Sequence, residues 1–128
     1  MNAGTRPRSV AVIGASNDRR KYGNKAVRAY ARLGYVVYPV NPNETEIEGL
    51  PAYRSILDIP GRVDRAVFYV PPHVGLRVIE EVAQKGVEEV YLNPGAESPE
   101  LIRRAQDLGI EPVVACSILA VGISPDEV

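Results

Sequence analysis

Short apolar runs alternate along the chain with stretches whose apolar residues recur every three or four positions. The runs are rich in Val and Ile and too short for helices, so they predict strands. The predicted strands span residues 9–13, 35–40, 65–70, 89–92 and 112–115. The first run has no polar alternation, which is typical of a strand buried on both faces of a parallel sheet.

The periodic stretches between these runs predict helices. The first covers about residues 24–33, and the second carries its apolar residues on one face from position 74 to position 82. The third begins with Ser98 as N-cap and Pro99 in its first position. Each helix ends at a glycine, and these are Gly34, Gly86 and Gly109. A short helical turn is expected at residues 55–58, and residues 118–128 are expected either to cap the sheet or to fray.

Alternation of strands and helices predicts an α/β fold. The expected architecture is a Rossmann-like, doubly wound, parallel five-stranded sheet with helices on both faces, formed by one domain over residues 1–128. Right-handed crossovers place the first strand beside the second and the third. A ligand crevice is then expected beyond the carboxyl ends of the strands, next to the first strand.

The residues that follow the predicted strands are small, rigid or amide-bearing. They are Gly14–Ala15–Ser16, Val40–Asn41–Pro42, Val70–Pro71–Pro72 and Asn93–Pro94–Gly95. Such segments let a ligand approach the backbone closely. In α/β folds the first strand–helix turn holds a phosphate, because free N–H groups and the helix dipole point there. We therefore expect Gly14→Val to abolish ligand binding and to leave the fold largely intact.

Two features near this turn bear on the kind of ligand. Four cations surround the start of the first helix, namely Arg19, Arg20, Lys21 and Lys25. They suit a polyanion with several phosphates, although a solvated basic loop explains them equally well. Proteins that bind NAD place an acid at the end of the second strand to hold the ribose hydroxyls. That end reads Pro39–Val40–Asn41–Pro42 and has no acid, which disfavours a dinucleotide.

Composition excludes several classes of protein. The net charge is −1 and 45% of residues are hydrophobic, which argues against disorder and gives no general case for nucleic-acid binding. No apolar run is long enough to span a membrane, and residues 1–8 lack the apolar core of a signal peptide. The single cysteine, Cys116, fits a reducing compartment, so a cytoplasmic location is expected.

Several segments resemble the CoA-binding domain family. They are residues 10–16, the Gly-Tyr-Val-Val-Tyr-Pro-Val-Asn-Pro run at 34–42, residues 57–60 and Val70–Pro71. The family comprises small single-domain proteins and the CoA-binding domains of the succinyl-CoA synthetase α subunit and of ADP-forming acyl-CoA synthetases. The resemblance covers residues 9–116 and implies a Rossmann-like fold that binds CoA, or an acyl-CoA, through its adenosine diphosphate part.

The resemblance also implies roles for individual residues. Gly14, Ala15 and Ser16 match the turn whose backbone meets the phosphates. Val40 and Asn41 match the strand end beside the nucleotide, where the synthetases have a lysine in place of Asn41. Pro39, which precedes them, is a further candidate for the binding site. Val70 and Pro71 match the wall against the adenine. Asn93 and Gly95 lie at the next strand end, nearer the exit of the pantetheine arm.

The sequence offers little catalytic chemistry. His73 is the single imidazole and has no neighbouring nucleophile, and Ser16 has no adjacent base and suits a phosphate donor better. No group of residues has metal-ligand spacing. We expect a non-catalytic CoA or acyl-CoA binding module that acts as carrier, sensor or partner of another protein. The alternatives are an NAD(P)- or other nucleotide-binding enzyme and an accessory piece of an acyl-CoA synthetase. A homodimer and an unidentified protein partner both stay open, since exposed Tyr or Leu in residues 43–60 would suit a dimer.

Overall fold

Five parallel strands form the main sheet in the computed structural model, which describes residues 6–128. The strands of this sheet are β1 Ser9–Ile13, β2 Val36–Val40, β5 Arg65–Phe68, β6 Glu89–Leu92 and β7 Val113–Val114. A separate two-stranded hairpin is formed by β3 Glu46–Ile47 and β4 Leu50–Pro51. The helices are α1 Tyr22–Arg32, α2 Pro72–Lys85, α3 Pro99–Asp107 and α4 Ser117–Ala120, with 3-10 turns at Ile56–Asp58 and Pro125–Glu127. The expectation that residues 1–8 lack a signal-peptide core falls largely outside the described residues, since residues 1–5 are not among them.

The strand order in the sheet is β2-β1-β5-β6-β7, and every pair is parallel. This order confirms the predicted α/β class and the position of β1 between the second and third predicted strands. The chain winds in one direction from β1 to β2 and in the other from β5 to β7. Such a doubly wound sheet brings the carboxyl ends of its strands to a single edge.

Burial on both faces explains the uninterrupted apolar run of β1. Ala11 and Ile13 belong to the core on the side of α2 and α3. Val10 and Val12 belong to the core on the side of α1 and the C-terminal segment. All five residues of the strand are buried, and the one polar residue among them, Ser9 at its start, donates its hydroxyl to the Arg62 carbonyl at 2.7 Å.

The helix ends follow the signals in the sequence. The Ser98 hydroxyl accepts a hydrogen bond from the Leu101 N–H at 3.0 Å, which confirms this serine as the N-cap of α3. Gly86 ends α2 in the left-handed conformation that favours glycine. Helix α1 begins two residues before the predicted start, at Tyr22, and its N-cap residue Lys21 provides no side-chain hydrogen bond.

The connection between β2 and β5 contains one predicted element and one that was missed. The helical turn expected at residues 55–58 is present as the 3-10 turn, and Ser55 caps it. The β3–β4 hairpin was not predicted, because each of its strands has two residues, too few to show a strand pattern. Its two turn residues, Glu48 and Gly49, both have positive φ, as a type I′ turn requires.

The C-terminal segment caps the sheet and does not fray. Ile118 and Ile123 are buried in the core beside α1. The Tyr30 hydroxyl donates to the Ser117 carbonyl at 3.0 Å, which ties α4 to α1. None of the helices within residues 6–128 combines the length and apolarity that a membrane span needs.

Asp64 fastens the amino end of β1 to the start of β5. Its carboxylate accepts hydrogen bonds from the Arg6 guanidinium and, at 2.8 Å, from the Ser9 N–H. The hydrogen bond from Arg6 and then those from Ser9 lower the pKa of this carboxyl to about 2. The ionised form is therefore favoured in the folded protein more than in the unfolded chain.

We expect this carboxylate to make stability depend on pH. Because the folded pKa is depressed, the contribution is fully present above the ordinary value near 3.8 and is lost as the pH falls through about 2. Asp64→Asn should lower the free energy of unfolding by about 1–2 kcal/mol at neutral pH and by less in acid. Urea unfolding of both proteins between about pH 7 and about pH 2 checks this. If the difference in the free energy of unfolding between the two proteins does not change with pH, the charge of Asp64 does not contribute to stability.

Candidate functional site

A cleft of about 730 Å³ opens beyond the carboxyl ends of β1, β2, β5 and β6. Its position matches the crevice expected next to the first strand. The predicted site residues that line it are Gly14, Ala15, Ser16, Lys21, Asn41, Val70, Pro71, Asn93 and Gly95. The structure therefore brings these nine predicted residues together at one edge of the sheet.

Four predicted site residues do not line the cleft. The Arg19 guanidinium forms an ion pair with Glu48 at 3.2 Å, and the Lys25 ammonium donates to the Pro125 carbonyl at 3.1 Å. Pro39 and Val40 are buried within β2 itself. A basic or strand-end position in the sequence does not reveal these partners or this burial.

The backbone of the first turn is largely committed to holding the sheet together. The N–H groups of Gly14 and Ala15 donate to the Val40 carbonyl at 3.0 and 3.3 Å. The Asn41 side-chain amide donates to the Ala15 carbonyl at 2.8 Å. The expectation that Gly14 and Ala15 offer free N–H groups to phosphates is therefore wrong. Asn41 lines the cleft, but its side-chain amide is hydrogen-bonded to the turn.

Free donors lie at Ser16, the last residue of this turn, and at the start of α1. The N–H groups of Ser16, Tyr22 and Gly23 have no hydrogen-bond partner in the described part of the chain. The Ser16 hydroxyl accepts from the Asp18 N–H at 3.0 Å, which leaves its own proton free to donate. Among residues 6–128, Lys21 is the single charged residue that lines the cleft. This end of the cleft therefore attracts anions through N–H groups, the helix dipole and one ammonium.

Two glycines bring α1, β1 and β5 into close contact. A Cβ on Gly14 would lie 2.7 Å from the Tyr69 carbonyl oxygen, and a Cβ on Gly23 would lie 2.2 Å from the Gly14 carbonyl oxygen. Gly14 also has a φ of +90°. A side chain at Gly14 would meet the end of β5 and not a ligand. The expectation that Gly14→Val spares the fold is therefore wrong.

A buried hydrogen-bond network forms the floor of the cleft. The Asn93 amide donates to the Phe68 carbonyl at 2.9 Å and accepts from the Ser117 N–H at 2.8 Å. The hydroxyls of Tyr69 and Ser117 lie 2.8 Å apart. Burial raises the pKa of Tyr69, so its phenol stays protonated at neutral pH. The floor is rigid and neutral, which suits binding better than proton transfer.

Some lining residues were missed by sequence reasoning. They are Tyr22, Gly23, Tyr69, Ala96, Cys116, Leu119 and Pro125. The last three come from the C-terminal segment, whose path the sequence does not reveal. Tyr69 directly follows β5 and lies within the strand predicted at residues 65–70, so no pattern in the sequence distinguishes it from a core residue.

The single imidazole and the single thiol of the sequence do not both line the cleft. His73 is exposed near the start of α2 and does not line the cleft, whereas Cys116 is half-buried within the lining. Among residues 6–128, no group of three His, Cys, Asp or Glu side chains could hold a metal ion. The cleft thus places one thiol near amides, hydroxyls and backbone, without an adjacent imidazole.

A family model described as a CoA binding domain matches residues 8–122. The chain belongs to the CoA-binding domain family. This confirms the resemblance found in the sequence, and the match covers all five strands of the main sheet.

Relatives and solved structures agree with this assignment. The domain is 42% identical over 87 residues to the α subunit of the ADP-forming acetate–CoA ligase II of Pyrococcus furiosus, covering 67% of this chain and 19% of that protein. A conserved hypothetical protein from Pyrococcus furiosus has a TM-score of 0.81 at 41% identity, with 88% of this chain and 98% of that chain covered. The apo dinucleotide-forming acetyl-coenzyme A synthetase 1 of Ca. Korarchaeum cryptofilum has a TM-score of 0.74 at 32% identity, with 86% of this chain and 26% of that chain covered.

We expect Gly14→Ala to destabilise this CoA-binding domain more than Gly34→Ala does. Both glycines have positive φ, at +90° and +86°. An added Cβ at Gly14 would lie 2.7 Å from the Tyr69 carbonyl oxygen, whereas one at Gly34 would have nothing within 4 Å. The excess loss in the free energy of unfolding should be about 1–3 kcal/mol, which is the usual result of overpacking. Urea denaturation of the two variants measures it. Equal losses would show that the contact with Tyr69 relaxes freely.

Proposed function

We propose that this domain binds CoA or an acyl-CoA and catalyses no reaction by itself, so that it acts as a carrier, sensor or partner of another protein. The observation that carries the proposal is the cleft in which free N–H groups at the start of α1 lie beside Lys21, the one charged lining residue. CoA presents a pyrophosphate and a further phosphate, and such anions suit this arrangement.

The CoA parts can be assigned to successive strand ends. The pyrophosphate meets the N–H groups of Ser16, Tyr22 and Gly23. Val70 and Pro71 form an apolar wall suited to the adenine. Asn93 and Gly95 lie at the end of β6, further along the cleft, where the pantetheine arm runs. The rigid floor supports this path, because ordered walls reduce the entropy lost on binding.

A dinucleotide fits the cleft less well. Within the described residues no Asp or Glu lines the cleft, so the ribose hydroxyls of NAD lack their usual carboxylate partner. The corresponding position after β2 is Asn41, and its amide is hydrogen-bonded to the Ala15 carbonyl. This argues against the NAD(P)-dependent enzyme considered as an alternative.

A second candidate function is an accessory piece of an acyl-CoA synthetase. The observation that favours it is the similarity to ADP-forming acetate–CoA ligases, of which the chain spans about a fifth or less. In that case the domain would present the thioester to the catalytic domains of the synthetase. Both functions require the same CoA site.

We expect CoA to bind the domain and NAD to bind weakly or not at all. Lys21→Ala should weaken CoA binding about fivefold at low salt and less at high salt, because ionic strength screens an exposed charge. Isothermal titration calorimetry with CoA and with NAD, each at two salt concentrations, measures this. Tighter binding of NAD than of CoA would overturn the proposed function.

Arg20→Ala is the matched control for Lys21→Ala. Its guanidinium is exposed and forms an ion pair with Asp18 at 3.1 Å, so its charge is already balanced. We expect CoA affinity to change less than twofold in this variant. If Arg20→Ala weakens CoA binding as much as Lys21→Ala does, the loop acts only through its general charge.

We also expect no catalysis. His73 lies outside the cleft, and the phenol of Tyr69 stays neutral, so Cys116 has no base beside it. The purified domain should leave acetyl-CoA and succinyl-CoA intact at the rate of buffer alone, and no ATP- or NAD-dependent turnover should occur. An assay for released thiol follows this. Thioester cleavage that Cys116→Ser or His73→Ala abolishes would make the chain an enzyme.

A further inference from the structure

A fully buried asparagine of α1 is hydrogen-bonded to the turn that follows β1. The Asn24 side-chain amide donates to the Ser16 carbonyl at 2.9 Å and to the Glu48 carboxylate at 3.0 Å. Its oxygen accepts from the Arg28 guanidinium at 2.7 Å. A buried amide whose donors and acceptor all have partners is held in one orientation. The carbonyl of Ser16 is therefore bound to a fixed donor.

The two peptide groups that flank Ser16 are each held by an asparagine. The Asn41 amide donates to the Ala15 carbonyl at 2.8 Å, and this carbonyl belongs to the same planar peptide as the Ser16 N–H. Asn24 holds the peptide on the other side, and the Ser16 hydroxyl accepts from the Asp18 N–H at 3.0 Å. These contacts fix the direction of the Ser16 N–H, which has no partner in the described part of the chain.

Glu48 reaches Asn24 from the tip of the β3–β4 hairpin. Its φ is +52°, in the left-handed region where residues with longer side chains are uncommon. One oxygen of its carboxylate accepts from both the Asn24 amide, at 3.0 Å, and the Arg19 guanidinium, at 3.2 Å. The side chain at this unusual backbone position therefore connects the hairpin to α1 and, through Asn24, to Ser16.

Building on the proposed function, we propose that Asn24 and Glu48 are positioning residues for the phosphates of CoA. Neither residue lines the cleft, so both act through Ser16, which does. Asn24 keeps the N–H and hydroxyl of Ser16 directed at the ligand, and Glu48 keeps Asn24 in place. Donors that are fixed before the ligand arrives lose less entropy on binding, which raises the affinity.

The first test compares Glu48→Ala with Glu48→Gln by isothermal titration calorimetry with CoA. Both variants remove the charge and the ion pair with Arg19, but the Gln side chain keeps an oxygen that can accept from Asn24. We expect Glu48→Gln to bind CoA at least as tightly as the wild type. Glu48→Ala should bind CoA about three- to tenfold more weakly than Glu48→Gln. Equal affinities of the two variants overturn the proposal.

A double-mutant cycle tests whether Asn24 acts through Ser16. Asn24→Ala and Ser16→Ala should each weaken CoA binding about three- to tenfold. If Asn24 positions Ser16, the double variant loses clearly less affinity than the product of the two single losses. A merely structural role of Asn24 predicts independent losses that multiply, and this result overturns the proposal. Melting temperatures verify that each variant is folded, and if Asn24→Ala is not, the two Glu48 variants decide.

Asn17→Ala is the matched control. The exposed Asn17 amide also joins the turn to the hairpin, through the Glu44 carboxylate and, at 3.0 Å, the Glu46 carbonyl, but it holds no group of Ser16. CoA affinity should change less than about twofold in this variant. A loss as large as that of Asn24→Ala would show that any contact between turn and hairpin has this effect, which contradicts a specific role of Asn24.

The outcomes separate the two proposals. If the wild-type domain binds CoA but the two Glu48 variants bind it equally, or the losses in the cycle multiply, the positioning role fails while CoA binding stands. If the wild-type domain does not bind CoA, the proposed function fails, and the positioning role fails with it.

Discussion

Three stretches of backbone meet at Gly14, and the cleft depends on this contact. The end of β2 holds the turn through the Val40 carbonyl, which accepts the N–H groups of both Gly14 and Ala15. The end of β5 and the first turn of α1 approach so closely that neither Gly14 nor Gly23 can carry a Cβ. This packing points the start of α1 at the cleft. The N–H groups of Gly14 and Ala15 are hydrogen-bonded within this contact, whereas those of Tyr22 and Gly23 have no partner in the described part of the chain.

The chemistry of the cleft follows from where its polar groups find partners. Asn93, Ser117 and Tyr69 satisfy one another in the floor, so they stabilise the fold and keep a neutral surface. Among the cations near the first turn, Arg19 and Arg20 are paired with Glu48 and Asp18. The ligand therefore meets mainly backbone donors, apolar walls and one lysine. Such a surface suits a large anion with an apolar arm, which agrees with membership in the CoA-binding domain family.

The sequence alone determined the class of the fold, the order of its main elements and the edge of the sheet that carries the cleft. These features depend on local patterns. The unbroken apolar run at Val10–Ile13 requires burial on both faces, Ser98 and Gly86 mark helix ends through local backbone chemistry, and parallel strands must bring their carboxyl ends together. The Tyr-Pro-Val-Asn-Pro segment added the family, which periodicity could not supply.

Only the tertiary structure decided which residues face the cleft and what each polar group does there. Arg19 and Lys25 carry the same sequence signal as Lys21, but partners distant in the chain, Glu48 and Pro125, hold their charged groups. The role of Gly14 is likewise set by Tyr69, more than fifty residues away in the chain. Cys116 and Leu119 reach the cleft because the C-terminal segment packs back against α1. A local pattern carries no record of these contacts, since each is made only when the chain closes on itself.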